Sequence, residues 1–128
     1  MTIERNEMNT LVAIGFVIWL VATVAFRLVG HFLLNPDNEP FIAAVFMVTI
    51  PAMVLLTLGI FRWRKIPSAS KPIAASLLVL PGMSLDAIVL PLFESVYPNM
   101  APESTGYFGG FLLLAYAVVL VVGVRENT

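Results

Sequence analysis

The sequence predicts an all-α membrane protein: four transmembrane helices in an up-down-up-down bundle, with both termini cytoplasmic. Three observations predict it. Of the 128 residues, 59% are hydrophobic and 12% charged, against roughly 25% charged in soluble domains. The apolar residues gather into four segments, each long enough to cross a ~30 Å hydrocarbon core as a helix. Of the seven lysines and arginines, Arg5, Arg62, Arg64, Lys65, Lys71 and Arg125 fall on one side of the four spans, and Arg27 is the exception. The positive-inside rule assigns that side to the cytoplasm. A chain of this length is one domain, residues 1–128.

The first span reads as Thr10–Leu34. Its flank holds Arg5 against Glu4 and Glu7, a poor basic n-region, and no small-x-small cleavage site follows, so it is expected to stay as an uncleaved helix. Its charge-free part, Leu11–Phe26, covers only about 24 Å, which brings Arg27 inside the outer edge of the membrane. The turn Asn35–Pro40 is acidic and has proline near both ends. The second span, Phe41–Trp63, carries Pro51 near its middle and stops at Arg62-Trp63-Arg64-Lys65. The third, Pro72–Val96, carries Pro81, and the fourth, Gly106–Val124, opens on Gly106, Gly109 and Gly110. Pro51 and Pro81 are expected kinks, since proline frees a carbonyl one turn back. The glycines are expected to let helix backbones approach, within the bundle or across a homodimer face. The hexapeptides that begin at Pro51 and Pro81 echo each other weakly, too thinly to argue an inverted repeat.

Composition removes several chemistries. Net charge is −1, so nothing points to nucleic acid, and cysteine is absent, which removes disulfides and thiolate sites. His31 is the single histidine, too few for a multi-histidine metal site or bis-histidine haem. Axial ligation of a haem or pigment by His31 is the one cofactor role open to it; the expectation is no cofactor. No nucleophile elbow, phosphate loop or metal-binding cluster is present, so no enzyme is expected.

The charged residues inside the spans carry the remaining interest. Counted along the helices, Arg27 lies about 26 Å from the inner end, Asp86 about 21 Å and Glu94 about 33 Å. Arg27 and His31 are spaced i, i+4, and Asp86, Leu90 and Glu94 repeat that spacing, so each set is expected on one helix face. Arg27, His31, Asp86 and Glu94 would then form an intramembrane charge cluster wherever spans 1 and 3 touch. Such a cluster is either a buried ion pair that sets register, an outward-facing proton or ion site, or a contact to another subunit. Trp19 and Tyr116, at mid-depth, each want a hydrogen-bond partner, with Thr49, Thr57 or Ser84 at hand.

The run Leu80-Pro81-Gly82-Met83-x-Leu85-Asp86, then Phe93, Tyr97-Pro98-Asn99 and Gly106-x-Phe108-Gly109, resembles an uncharacterised family of small bacterial four-span membrane proteins, the domain of unknown function 5367 type. The resemblance covers the C-terminal half, and the N-terminal half by hydropathy. It implies the four-span architecture and marks Asp86 and the Tyr97-Pro98-Asn99 turn, without an activity. Small multidrug exporters and fluoride channels share the size, but neither the acid in the first span nor the Gly-rich Arg motif is here. The expectation is a non-enzymatic membrane protein in a bacterial cytoplasmic or equivalent internal membrane. It would serve as an accessory or stabilising subunit of a larger membrane assembly, or as a homo-oligomer, with lipid and other membrane subunits as its partners. The alternative is a small transporter or channel with Asp86 and Arg27 in an outward-facing site.

Overall fold

The computed structural model describes residues 4–126. Four long helices, α1 (Arg5–Leu33), α2 (Glu39–Trp63), α3 (Lys71–Val89) and α5 (Thr105–Arg125), account for most of them, with a single-turn α4 (Phe93–Val96) between α3 and α5. The four long apolar segments are each long and apolar enough to cross a membrane. Their outward faces carry large exposed apolar side chains such as Val21, Leu28, Met47, Leu55, Ile88 and Leu113, as lipid-facing helices do.

Local chemistry sets the helix ends. The Asn38 side chain accepts from the Phe41 N–H at the start of α2, where proline also stands. That helix closes through two backbone bonds, Lys65 N–H to Arg62 and Ile66 N–H to Phe61, with buried Ile66 packed beneath. The closure puts Lys65 at φ 54°, a left-handed position that glycine fills at lower cost. Pro51 and Pro81 lie inside helices that run on through them. The break in the third span comes at Pro91, where α3 gives way to a 3₁₀ turn, Leu90–Leu92, and then α4. The ring has no N–H to give to a carbonyl one turn back.

The packing order is not the chain order. Helix α3 packs on α1 and on α5, and α5 packs on α2, whereas α1 and α2 scarcely touch, nor do α2 and α3. In an up-down-up-down bundle consecutive helices run oppositely, yet two of the three tight pairs join helices that run in the same sense. Glycine decides where they close up. A Cβ on Gly15 would collide with the Leu78 carbonyl, and one on Gly123 would meet the Ala75 methyl at 2.5 Å. Within the bundle, Gly106, Gly109 and Gly110 are not the glycines that do this. A Cβ on Gly106 or Gly109 would meet nothing within 4 Å, and one on Gly110 only the Phe46 ring at 3.7 Å.

Two ion pairs gather one end of the bundle: Arg64 on Glu7 at 3.0 Å and Lys71 on Glu126 at 4.0 Å. The start of α1, the α2–α3 connection and the end of α5 therefore share that end. At the opposite end the Ser104 hydroxyl donates to the Leu34 carbonyl at 2.8 Å, tying the two remaining connections together. An aliphatic core (Leu11, Ile60, Ala74, Leu78, Val119) fills the ion-paired half. An aromatic core (Phe26, Phe93, Tyr97, Phe108) fills the other, with ring centroids 4.8–5.9 Å apart.

Candidate functional site

Between the two cores lies Asp86, 5% exposed. Its position on α3 turns it toward α1 and α5, and each carboxyl oxygen has a donor. The Trp19 indole N–H reaches Oδ1 at 2.8 Å, and the Tyr116 hydroxyl donates to Oδ2 through a short hydrogen bond. One carboxyl group thus joins three helices. Gly82, one turn before Asp86, makes this possible: a Cβ there would stand 2.7 Å from the Tyr116 hydroxyl. Both donors are neutral and aromatic, so their rings pack with the core while their polar tips satisfy a group that is costly to bury alone.

The expected partnership of Asp86 with Arg27 does not form. Arg27 is exposed and donates from Nη1 to the Val96 carbonyl at 2.9 Å, one of the carbonyls left open where α4 ends. Neither ion pair of the described residues includes Arg27, Asp86 or Glu94. The register explains the miss. With Gly15 against Leu78, Arg27, twelve residues on, has turned about 120° round α1 from that contact and is exposed. The 3₁₀ turn at Leu90–Leu92 then rotates the chain, leaving Glu94 exposed while Asp86 is buried. His31 is separate again: its Nδ1 lies 3.2 Å from the Asn99 amide nitrogen, which also donates to the Phe26 carbonyl at 3.1 Å. The Tyr97-Pro98-Asn99 turn is therefore a latch on α1, with Tyr97 1% exposed. Burial holds the Tyr97 phenol above its ordinary range. Arg27, His31 and Asp86 thus make three separate contacts, and Glu94 is exposed.

Thr49, Thr57 and Ser84, expected to serve Trp19 and Tyr116, are engaged elsewhere. Each hydroxyl donates to the carbonyl four residues back on its own helix, as do Thr10, Thr23 and Ser76. These bonds satisfy the hydroxyls without a cross-helix partner. Beside Asp86, a cavity of about 150 Å³ is walled by all four long helices, with Trp19, Phe26, Phe111 and Tyr116 among its lining and Met53, Leu56 and Thr57 contributed by α2. Its lining includes Ala22 of α1 and Leu56 of α2, the latter 40% exposed, and these two helices scarcely touch. No group of three or more His, Cys, Asp or Glu is placed to hold a metal among the described residues.

Sequence reasoning singled out Asp86, Trp19 and Tyr116 but did not join them. It missed Gly15, Gly82 and Gly123 as the contact glycines. One signal was available: Gly82 precedes Asp86 by one turn, so an acid and a gap share a helix face.

Four membrane-length apolar helices around a buried, aromatically held carboxyl define a small multi-pass membrane protein. The chain belongs to the family of unknown function DUF5367, which it matches over residues 32–128. That match takes in the second span as well as the C-terminal half, and stops short of most of α1, the helix that supplies Trp19. No curated protein matches the chain, and no solved structure does.

Proposed function

We propose that the protein works by association inside the membrane, as a non-enzymatic accessory or stabilising subunit of a larger membrane assembly or as a homo-oligomer. The observation that carries this reading is the apolar cavity of about 150 Å³ lined in part by α1 and α2, which scarcely touch each other. Association in lipid rests on close van der Waals packing rather than on burial from water, and a void leaves its lining without partner atoms. A side chain from a further transmembrane helix, inserted beside Leu56, supplies them. The back-bonded hydroxyls and the doubly satisfied Asp86 support the same reading, because they present no continuous polar route. The transporter alternative loses its arginine, since Arg27 is on the Val96 carbonyl and not on Asp86.

The test is the size of the particle in mild detergent and in native-lipid discs. Wild type is expected to run as a complex or oligomer, and Ala22→Phe, which fills the cavity from α1, to release the monomer while keeping its helical content. A monomeric wild type in both media rules the reading out. A pH-gradient-driven flux in liposomes that Asp86→Asn abolishes replaces it with the transporter.

The Arg62–Lys71 loop is proposed to face the cytoplasm, together with both termini, in a bacterial inner membrane or equivalent. Single cysteines at Ser68 and Glu103, both exposed, check this in intact cells. Impermeant label added outside is expected at position 103 and not at 68; the reverse pattern inverts the topology.

A further inference from the structure

The side chains around the cavity of about 150 Å³ have no hydrogen left to give. Trp19, Thr57 and Tyr116 are the lining residues whose side chains carry a polar hydrogen. The Trp19 indole N–H and the Tyr116 hydroxyl are both committed to Asp86, and the Thr57 hydroxyl donates to the Met53 carbonyl of its own helix at 2.7 Å. The other lining residues are glycine, alanine, larger aliphatics, methionine and phenylalanine. A buried water is held by roughly two to four polar partners, so this lining selects against water and against any guest with an unmet acceptor. It also offers rings. Phe26 and Phe111 meet at 5.1 Å between centroids with their planes 59° apart, the tilted geometry in which a further ring joins edge to face. Leu56 both lines the cavity and is 40% exposed, so the lining reaches the outer surface of the bundle.

We propose that the cavity is a ligand site for one small, wholly apolar ring, about the size of benzene, taken up from the bilayer. A protein cavity of about 150 Å³ with apolar walls stays dry and takes one benzene, and this cavity has that volume. The rings among its lining favour an aromatic guest over an alkane of equal size. The association reading gives the same space to a partner's side chain. Guest and partner therefore exclude each other, and the ligand releases the monomer. That consequence rests on the association reading; the binding itself does not.

Fluorine NMR of fluorobenzene, titrated into the full chain in mild detergent, tests it. A protein-bound signal is expected, distinct from the micellar one and saturating at one per chain. Benzene is expected to displace it. Pyridine has the same shape but a ring nitrogen that finds no donor, and it is expected to compete at least roughly tenfold less well. Ala22→Leu on α1 and Ala115→Leu on α5 each fill the cavity and are expected to abolish the signal, with helical content and melting checked for both. Absence of a saturable signal in the wild type overturns the proposal. So does a signal that persists in a folded variant, or one that pyridine displaces as well as benzene does. Particle size, followed in parallel, separates this site from the association reading. A wild type that is monomeric throughout and still binds one fluorobenzene sinks association and supports the site, whereas an assembly that binds one fluorobenzene per chain without releasing monomer overturns the competition.

Discussion

Tyr116→Phe is expected to destabilise the protein by about 2 kcal/mol, the value of a buried hydrogen bond to a carboxyl group. The ring still fills its place against Gly82, so the loss isolates the hydroxyl. Trp19→Phe removes the other donor, and the two together are expected to cost roughly 3–5 kcal/mol, because the carboxyl is then buried with no partner. Asp86→Leu takes away the group that needs them. In that background Tyr116→Phe is expected to be neutral or stabilising, because the hydroxyl has lost its acceptor, so the cycle is strongly non-additive. Arg27→Gln combined with Asp86→Asn is expected to be additive within about 0.5 kcal/mol, since the two residues share no partner. Reversible unfolding in mixed detergent micelles measures all of these. A Tyr116→Phe variant as stable as wild type, or strong coupling between Arg27 and Asp86, returns the carboxyl to the arginine.

Gly15→Ala is the second large effect, with an expected cost of about 1–3 kcal/mol from one methyl group. The atom in its way is the Leu78 carbonyl oxygen, part of a helix backbone that cannot rotate aside as a side chain does. The two helices must separate, and Trp19, one turn beyond Gly15, is drawn off Asp86 as they do. The variant is therefore expected to lose part of the tryptophan hydrogen bond as well, read as a change in indole fluorescence. Gly59→Ala is the matched control: nothing lies within 4 Å of its added methyl, and a helix gains roughly 0.5–1 kcal/mol when alanine replaces glycine. The same chemical change is thus expected to act with opposite signs at two positions. Gly15→Ala melting with wild type shows that α1 and α3 are not in contact at that point.

The helices and most of their boundaries were legible because lipid imposes them. A segment crossing an apolar layer must satisfy its own backbone, which leaves a run of apolar residues of set length. That constraint acts along the chain, so Phe41–Trp63 and Gly106–Val124 come within two residues of α2 and α5 at every end. Pro91 was legible as a proline and went unread as a break. Its consequence, the turn that parts Glu94 from Asp86, depends on three-dimensional rotation.

From the sequence alone came four spans, the likeness to DUF5367 and Asp86 as a polar residue in need of partners. Tertiary structure decided which partners. Helical spacing states which residues share a face but not the angle or height at which one helix meets another. Those follow from where backbones can touch, and here from Gly15 on Leu78 and Gly123 on Ala75. Arg27 is turned outward onto the Val96 carbonyl while Trp19 and Tyr116 reach Asp86, so the carboxyl joins three helices through neutral donors rather than through an ion pair.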